Sequence, residues 1–212
     1  MTAALPPLPP AALARVHALL AGGGRRILGL AGPPGGGKST LAAALLAAFA
    51  DVARIVPMDG FHLAGSELRR LGRADRKGAP DTFDAAGYVA LMRRLRDQAA
   101  DEIVYAPEFR REIEEAIAGA IAVAPETRLV ITEGNYLLLD DAPWNALRTV
   151  LDDTWYVGGD DTLRRERLIR RHEQFGRTRE AAIEWVDRSD EANARLIAAS
   201  RGHARFQFDW DA

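Results

Sequence analysis

The sequence predicts an α/β fold, a three-layer αβα sandwich with a mainly parallel sheet and a short helical lid. Three observations predict it. Short β-rich runs alternate with segments of helical period along the chain. A glycine-rich stretch, "GPPGGGKST", joins the first strand-like run to an alanine and leucine run. Two later β-rich runs end in carboxylates, at Asp59 and Glu133. With 212 residues, 48% of them hydrophobic, the chain is long enough for a substantial core, and we expect one domain over 1–212.

After a proline-rich start, "AALARVHALLAGG" reads as a short helix stopped by glycine. "RRILGLAG" is the expected first strand and "KSTLAAALLAAFA" the helix that follows the glycine loop. "ARIVPMDGF" reads as a second strand ending at Asp59. The polar, weakly periodic stretch after it is expected to be a long loop, 62–84, that meets an acceptor. "AAGYVALMRRLRDQ" has helical spacing, "EIVYAPEF" is strand-like, and "RLVITEGNYLLL" holds a strand ending at Glu133. "TWYVGG" adds a strand. Two charged helices follow, "DDTLRRERLIRRHEQFG" and "TREAAIEWVDRSDEANARLIAASRG", the first lying in an expected lid over 160–180, and "ARFQFDW" closes the chain as a strand.

Composition excludes several classes of function. A formal charge of −2, from 28 basic and 30 acidic residues, gives no global field for nucleic acid or a membrane surface. With no cysteine there is neither a disulfide nor a thiolate nucleophile or metal site. Prolines 6, 7, 9 and 10 interrupt the N-terminal apolar run, which lacks an early basic region, so it reads as neither a signal peptide nor a spanning helix. The expectation is a soluble, cytoplasmic protein.

Gly32, Gly37, Lys38 and Ser39 satisfy G-x-x-x-x-G-K-[ST] between a strand and a helix, the context that a phosphate cradle needs. Through Gly32, Pro33, Pro34, Gly35, Gly36 and Gly37 the backbone can approach a triphosphate and offer its amides. Lys38 reaches the β and γ oxygens, Ser39 can ligate Mg²⁺, and Thr40 supports the α-phosphate. The cradle does not choose a reaction. The sequence has no N-K-x-D element of a G-protein and no L-S-G-G-Q of a transporter ATPase. Asp59 and Glu133, at strand ends, are instead expected to face the γ-phosphate, because ligands of open α/β sheets bind at the carboxyl ends of strands.

At these residues the chain resembles the phosphoribulokinase/uridine kinase family of P-loop kinases, over residues 25–208. Within that family it is most similar to bacterial fructose-transport, or fructokinase-like, kinases, with which it shares "GPPGGGKST", "PMDGFH", "RKGAPDTFD", "YAPEF", "EGNYLLL" and "FGRT". The resemblance implies a P-loop NTPase sandwich and transfer of the γ-phosphoryl of ATP, with Mg²⁺, to a hydroxyl of a small molecule such as a sugar, a nucleoside or a pantothenate-like acceptor. It further implies that Asp59 takes the acceptor proton, that Glu133 and Ser39 hold Mg²⁺, and that Tyr105 touches the acceptor. Such relatives are often dimers or tetramers, and a homodimer is the expectation. Arginines of "RERLIRRHEQFGRT" would close over the phosphates. Phe175 stands where uridine kinases have arginine, so Arg167, Arg170, Arg171 and Arg177 all remain candidates; Arg171 is the catalytic choice, with Arg167 and Arg177 on the nucleotide.

His62, three residues beyond Asp59, binds the acceptor, orients Asp59, or is a histidine satisfied in its turn. Phe109 is a candidate acceptor contact. The basic run Arg69, Arg70, Arg73, Arg76 and Lys77 reads as a solvated face in preference to a clamp on a phosphorylated acceptor. The reading is a small-molecule kinase. Its rival is a regulatory or transport-coupled ATPase with no small acceptor.

Overall fold

The computed structural model describes residues 5–210, so the first four residues of the proline-rich start lie outside it. Five parallel strands form the central sheet: β1 (Arg26–Ala31), β2 (Ala53–Ile55), β5 (Leu129–Gly134), β6 (Asp153–Gly158) and β7 (Phe206–Asp209), in the order β2-β5-β1-β6-β7. Two further strands, β3 (Val104–Arg110) and β4 (Glu115–Val123), pair antiparallel as a separate hairpin.

Strand alternation divides the core into two layers. Leu28 and Leu30 of β1, Ile131 of β5, and Trp155 and Val157 of β6 pack against α1 (Pro10–Ala21) and α2 (Lys38–Ala48). Ile27 and Ala31 of β1 and Val130 of β5 face the other way. They meet Tyr88, Met92 and Leu95 of α4 (Ala85–Arg96), together with Trp144 and Leu147 of a 3₁₀ turn. A smaller cluster, Leu168, Ile169, Ala182 and Val186, joins α5 (Asp161–Gln174) to α6 (Arg179–Trp185) and the π-helical turn after it.

Four sequence expectations need correction. The second strand stops at Ile55: the Val56 N–H still donates to Ile131, but Pro57 has no N–H, and Asp59 lies in a 3₁₀ turn, Met58–Phe61. "EIVYAPEF" is β3 of the detached hairpin and not part of the central sheet, and its partner β4 lies in a stretch to which the sequence reading gave no element. The 62–84 loop contains α3 (Gly65–Arg70) and two 3₁₀ turns. The second charged helix is interrupted by a π turn, Val186–Asp190, before α7 (Glu191–Ala199).

Asp153 anchors the first helix to the sheet. Its carboxylate accepts from Arg15 Nε at 2.6 Å and Nη2 at 2.9 Å, from Trp155 Nε1 at 2.9 Å, and from the Thr154 N–H. Burial alone would raise its pKa, but the hydrogen bonds from Arg15 and Trp155 outweigh burial and hold it below the ordinary value. Asp153→Ala strands a buried indole N–H and should cost about 2–4 kcal/mol in a denaturant titration. A depressed carboxylate stabilises above its unfolded pKa, and that stability is lost as pH falls through the folded value. The gap between wild type and Asp153→Ala should therefore be full at neutral pH and close in acid.

Candidate active site

The phosphate loop leaves the carboxyl end of β1, and α2 begins directly behind it. Gly35 and Gly37 take positive φ, +75° and +90°. A Cβ at Gly37 would meet the Trp210 indole nitrogen at 2.4 Å, so only glycine both turns the loop and admits that ring. No side chain caps α2 and no acid lies in its first turn, which leaves its N-terminal amides and dipole to an anion.

Lys38 is buried, and its ammonium donates to Gly32 O at 2.9 Å, Pro33 O at 3.0 Å and Asn135 Oδ1 at 2.8 Å. Burial lowers its pKa to about 8, with the charges of Glu133 and Asp59 opposing the shift. Glu133 is buried near the end of β5 and accepts from Ser39 Oγ at 3.1 Å. Burial, then the charge of Asp59, raises the Glu133 pKa; Lys38 and the Ser39 hydroxyl offset only part of that rise. A third polar link fixes the frame: the Tyr88 hydroxyl meets Thr132 Oγ1 at 2.7 Å, and Thr132 Oγ1 donates to Val56 O at 2.6 Å. This joins the segment leading to Asp59 to the strand that carries Glu133.

Asp59, Lys38, Ser39, Thr40, His62, Phe109 and Glu133 all line one cleft of about 1300 Å³. Arg167, Arg171 and Arg177 line it from the lid side. Arg171 is half-buried, and burial followed by the charge of Arg111 lowers its pKa, although a guanidinium stays charged. Arg177 stacks over Trp185 at 4.1 Å. Arg170 is paired with Glu166 on the outer face and is not among the cleft-lining residues. Pro34, Gly35 and Gly37 face the main cleft, while Pro33 and Gly36 line a smaller cavity of about 320 Å³ beside the loop, together with Tyr156, Arg164 and Trp210.

Two of the expected site residues line neither cavity: Gly32, which enters the site only through the carbonyl that accepts from Lys38, and Tyr105. Tyr105 is 57% exposed and does not line the cleft, because Val104 and Ala106 on either side of it point into the core and strand alternation turns Tyr105 outward. Conversely, sequence reasoning missed three side chains. Asn135 holds the Lys38 ammonium; Arg111, in the hairpin turn, sits 3.4 Å from Asp59 Oδ2; Arg164, buried in α5, bonds Asp161 and Glu191 and reaches Pro34 O of the loop at 3.4 Å. Only Asn135 had a signal, its place directly after the "TEG" strand end.

No protein-family model matches the chain. The chain is 38% identical over 184 residues to a Schizosaccharomyces pombe protein that bears the name uridine kinase, covering 82% of this chain and 78% of that one. It is 37% identical over 125 residues to an ATP-dependent kinase-like protein of Aspergillus versicolor, covering 56% of this chain and 73% of that protein. A crystal structure described as a fructose transport system kinase from Silicibacter sp. TM1040 superposes with a TM-score of 0.84 at 39% identity, covering 95% of this chain and 99% of that one.

The pKa of Lys38 makes triphosphate binding a proton-linked event. Phosphate charge beside the ammonium favours its protonated form, so binding near pH 8 should take up a fraction of a proton, and binding well below pH 8 almost none. Calorimetry in buffers of different ionisation enthalpy measures the uptake. It should vanish in Lys38→Ala, which should also bind triphosphate far more weakly while remaining folded.

Proposed function

From a chain that belongs to the P-loop kinases of the uridine kinase and phosphoribulokinase type, and is therefore an ATP-using phosphotransferase, we propose an enzyme that moves the γ-phosphoryl group of ATP to a hydroxyl of a small molecule. The observation that carries the acceptor reading is the extent of the cleft. It does not end at the phosphate loop but continues past Asp59 to His62, Phe83 and Phe109, leaving room for a second ligand beyond the triphosphate.

In this reading the acceptor oxygen bonds to the γ-phosphorus as the bond to the β–γ bridging oxygen breaks. The hydroxyl proton passes to the Asp59 carboxylate, and ADP leaves. The transferred group carries its charge on peripheral oxygens, so neutralisation and positioning dominate, and Lys38 and Arg171 are the cations placed for that work. Asp59 stands on a turn fixed by the Val56–Thr132–Tyr88 link, which suits a base that must be aligned and not mobile.

A divalent cation fits the same site. Among the described residues there is no cluster of three or more metal-ligating side chains, as befits Mg²⁺, which binds through few protein ligands together with phosphates and water. Glu133 and Ser39, 3.1 Å apart, set a carboxylate beside a hydroxyl in the cleft next to the phosphate loop. Ser39 and Glu133 are the residues that would hold Mg²⁺, whose chemistry is to neutralise the phosphate oxygens.

Two substitutions separate the roles. Asp59→Asn should keep nucleotide affinity and lower kcat by about 10²–10⁴-fold, the span for acid–base catalysis. Glu133→Gln should raise the Mg²⁺ concentration for half-maximal activity and be partly restored by excess Mg²⁺, while Asp59→Asn is not. Acceptor-dependent ADP formation under a Mg²⁺ titration reads both. Equal rescue of the two variants would overturn the division of labour, and ADP release stimulated by no alcohol but only by a protein partner would favour a switch ATPase.

A further inference from the structure

Beyond Asp59 the cleft has a distinct chemical lining. His62 lies between two rings, 4.0 Å from Phe83 and 4.6 Å from Phe109, and its Nδ1 is 2.8 Å from Asp59 O. Burial lowers the His62 pKa, which makes neutral imidazole the resting form. A carbonyl can only accept, so Nδ1 carries the proton and Nε2 presents a lone pair with no partner among the described residues. That end of the cleft therefore holds an acceptor matched to a hydroxyl donor.

Three cations surround it. Lys77 lies 5.1 Å from the centre of the Phe109 ring, and Arg111 lies 6.0 Å from the same ring. Arg69 lines the cleft and forms no ion pair or hydrogen bond through its side chain among the described residues. Its neighbours in the basic run are used differently: Arg70 pairs with Glu67, and Arg73 and Arg76 pair with Asp81. The run is thus divided by the fold. Its middle is a solvated face and its two ends, Arg69 and Lys77, turn to the cleft.

The acidic side chains nearby pair with these cations only at long range. Glu115 Oε1 is taken by the Gly65 N–H at 2.9 Å. Lys77 Nζ donates to the Glu114 main-chain carbonyl, a neutral acceptor, while the Glu114 carboxylate, 61% exposed, stays 3.9 Å away, and Glu112 lies on the exposed hairpin turn. Arg111 approaches Asp59 only to 3.4 Å, longer than the usual 2.7–2.9 Å of a charge-assisted bond, so its pairing is readily exchanged for a better anion.

We infer that the acceptor is a small hydroxylated molecule carrying its own anionic group, a phosphate or a carboxylate, which sits among Arg111, Lys77 and Arg69 while one hydroxyl donates to His62 Nε2 and another faces Asp59. This rests on the kinase reading of the same site. An anion drawing Arg111 away frees Asp59 lone pairs for the hydroxyl proton, so recognition of the charged group and exposure of the base are one event. A neutral polyol leaves Arg69 unanswered, Lys77 on a neutral carbonyl and Arg111 on Asp59, which selects against it.

The test fills the phosphate cradle with a non-hydrolysable MgATP analogue, so that added anions cannot bind there. Matched probes are then titrated by calorimetry: D-glycerate against glycerol for the carboxylate arm, and D-ribulose 5-phosphate and D-ribose 5-phosphate against their parent sugars for the phosphate arm. A charged member should bind at millimolar concentration or below while its neutral counterpart does not, and the arm that binds identifies the anion. Arg69→Gln and Lys77→Gln should each weaken that binding by about 10- to 100-fold, the loss of one hydrogen bond to a charged group, with analogue affinity unchanged. Equal binding of charged and neutral members, failure of every charged probe to bind, or undiminished binding in both variants overturns the inference. The kinase reading is scored separately by ADP formation with MgATP. Turnover of neutral polyols alone would keep that reading and sink the anionic acceptor, whereas a charged probe that binds through Arg69 and Lys77 yet releases no ADP upholds the anion site and tells against the kinase.

Discussion

The site is organised around one buried charge. The Lys38 ammonium lies out of water, and burying a cation without partners is strongly unfavourable, so three oxygens must surround it. Two are carbonyls of its own loop, Gly32 and Pro33, and they fix the curl of that loop around the lysine. The third, Asn135, comes from just beyond β5 and ties the cradle to the strand that carries Glu133. The same burial leaves the ammonium with a pKa of about 8, so a phosphate is a better partner than the neutral carbonyls it already has. The loop is therefore shaped in advance for an anion.

The sheet brings the remaining groups to that charge. β1 and β5 run parallel with Leu30 opposite Glu133 and Ala31 opposite Gly134, so the strand that opens into the cradle ends level with the buried acid. Close packing keeps them level: a Cβ at Gly134 would meet Met58 side-chain atoms at 2.6 Å, so the residue next to Asp59 presses directly on the end of β5. α5 is held to the loop by Arg164, whose guanidinium is satisfied by Asp161 and Glu191 before it reaches Pro34. Arginines of α5 and the turn after it thus fall into two sets. Arg164, Arg165 and Arg170 are neutralised by acids of α5, α7 and the π turn, while Arg167, Arg171 and Arg177 face the cleft.

What was legible in the sequence is what is local along the chain. The cradle is eight consecutive residues whose chemistry and backbone needs coincide, so motif and mechanism could be read together. The parallel sheet was legible because Ile27 to Leu30, Leu129 to Ile131 and Trp155 to Val157 are continuous apolar runs, as strands covered on both faces must be. The hairpin was not. β4, "EAIAGAIAV", is largely exposed; its four alanines and its glycine dilute the β-former signal of Ile117, Ile121 and Val123, while the opposite face carries alanine and not the polar residues that mark a half-buried strand. Missing β4 hid that β3 belongs to a detached hairpin, and the role that the resemblance implied for Tyr105 meets a strand whose alternation, with Val104 and Ala106 in the core, turns that ring outward. Arg111 was invisible for a further reason. Its value lies in a contact with Asp59, 52 positions away, that exists only once the hairpin folds over the 3₁₀ turn.

That contact shows how the two halves of the cleft depend on each other. At the cradle end the cation is buried and fixed, with donors aimed at a group that every triphosphate shares. At the hairpin end the cations stand on flexible stems, half-exposed, above an aromatic ring and beside a neutral imidazole. A rigid site suits the constant part of a reaction, and an adjustable one suits the part that must be told from its analogues. Asp59 belongs to both. Its turn is locked to β5 through Thr132, while its carboxylate is approached by an arginine from the hairpin, so the proposed base is held by the sheet and guarded by the element at the proposed acceptor end.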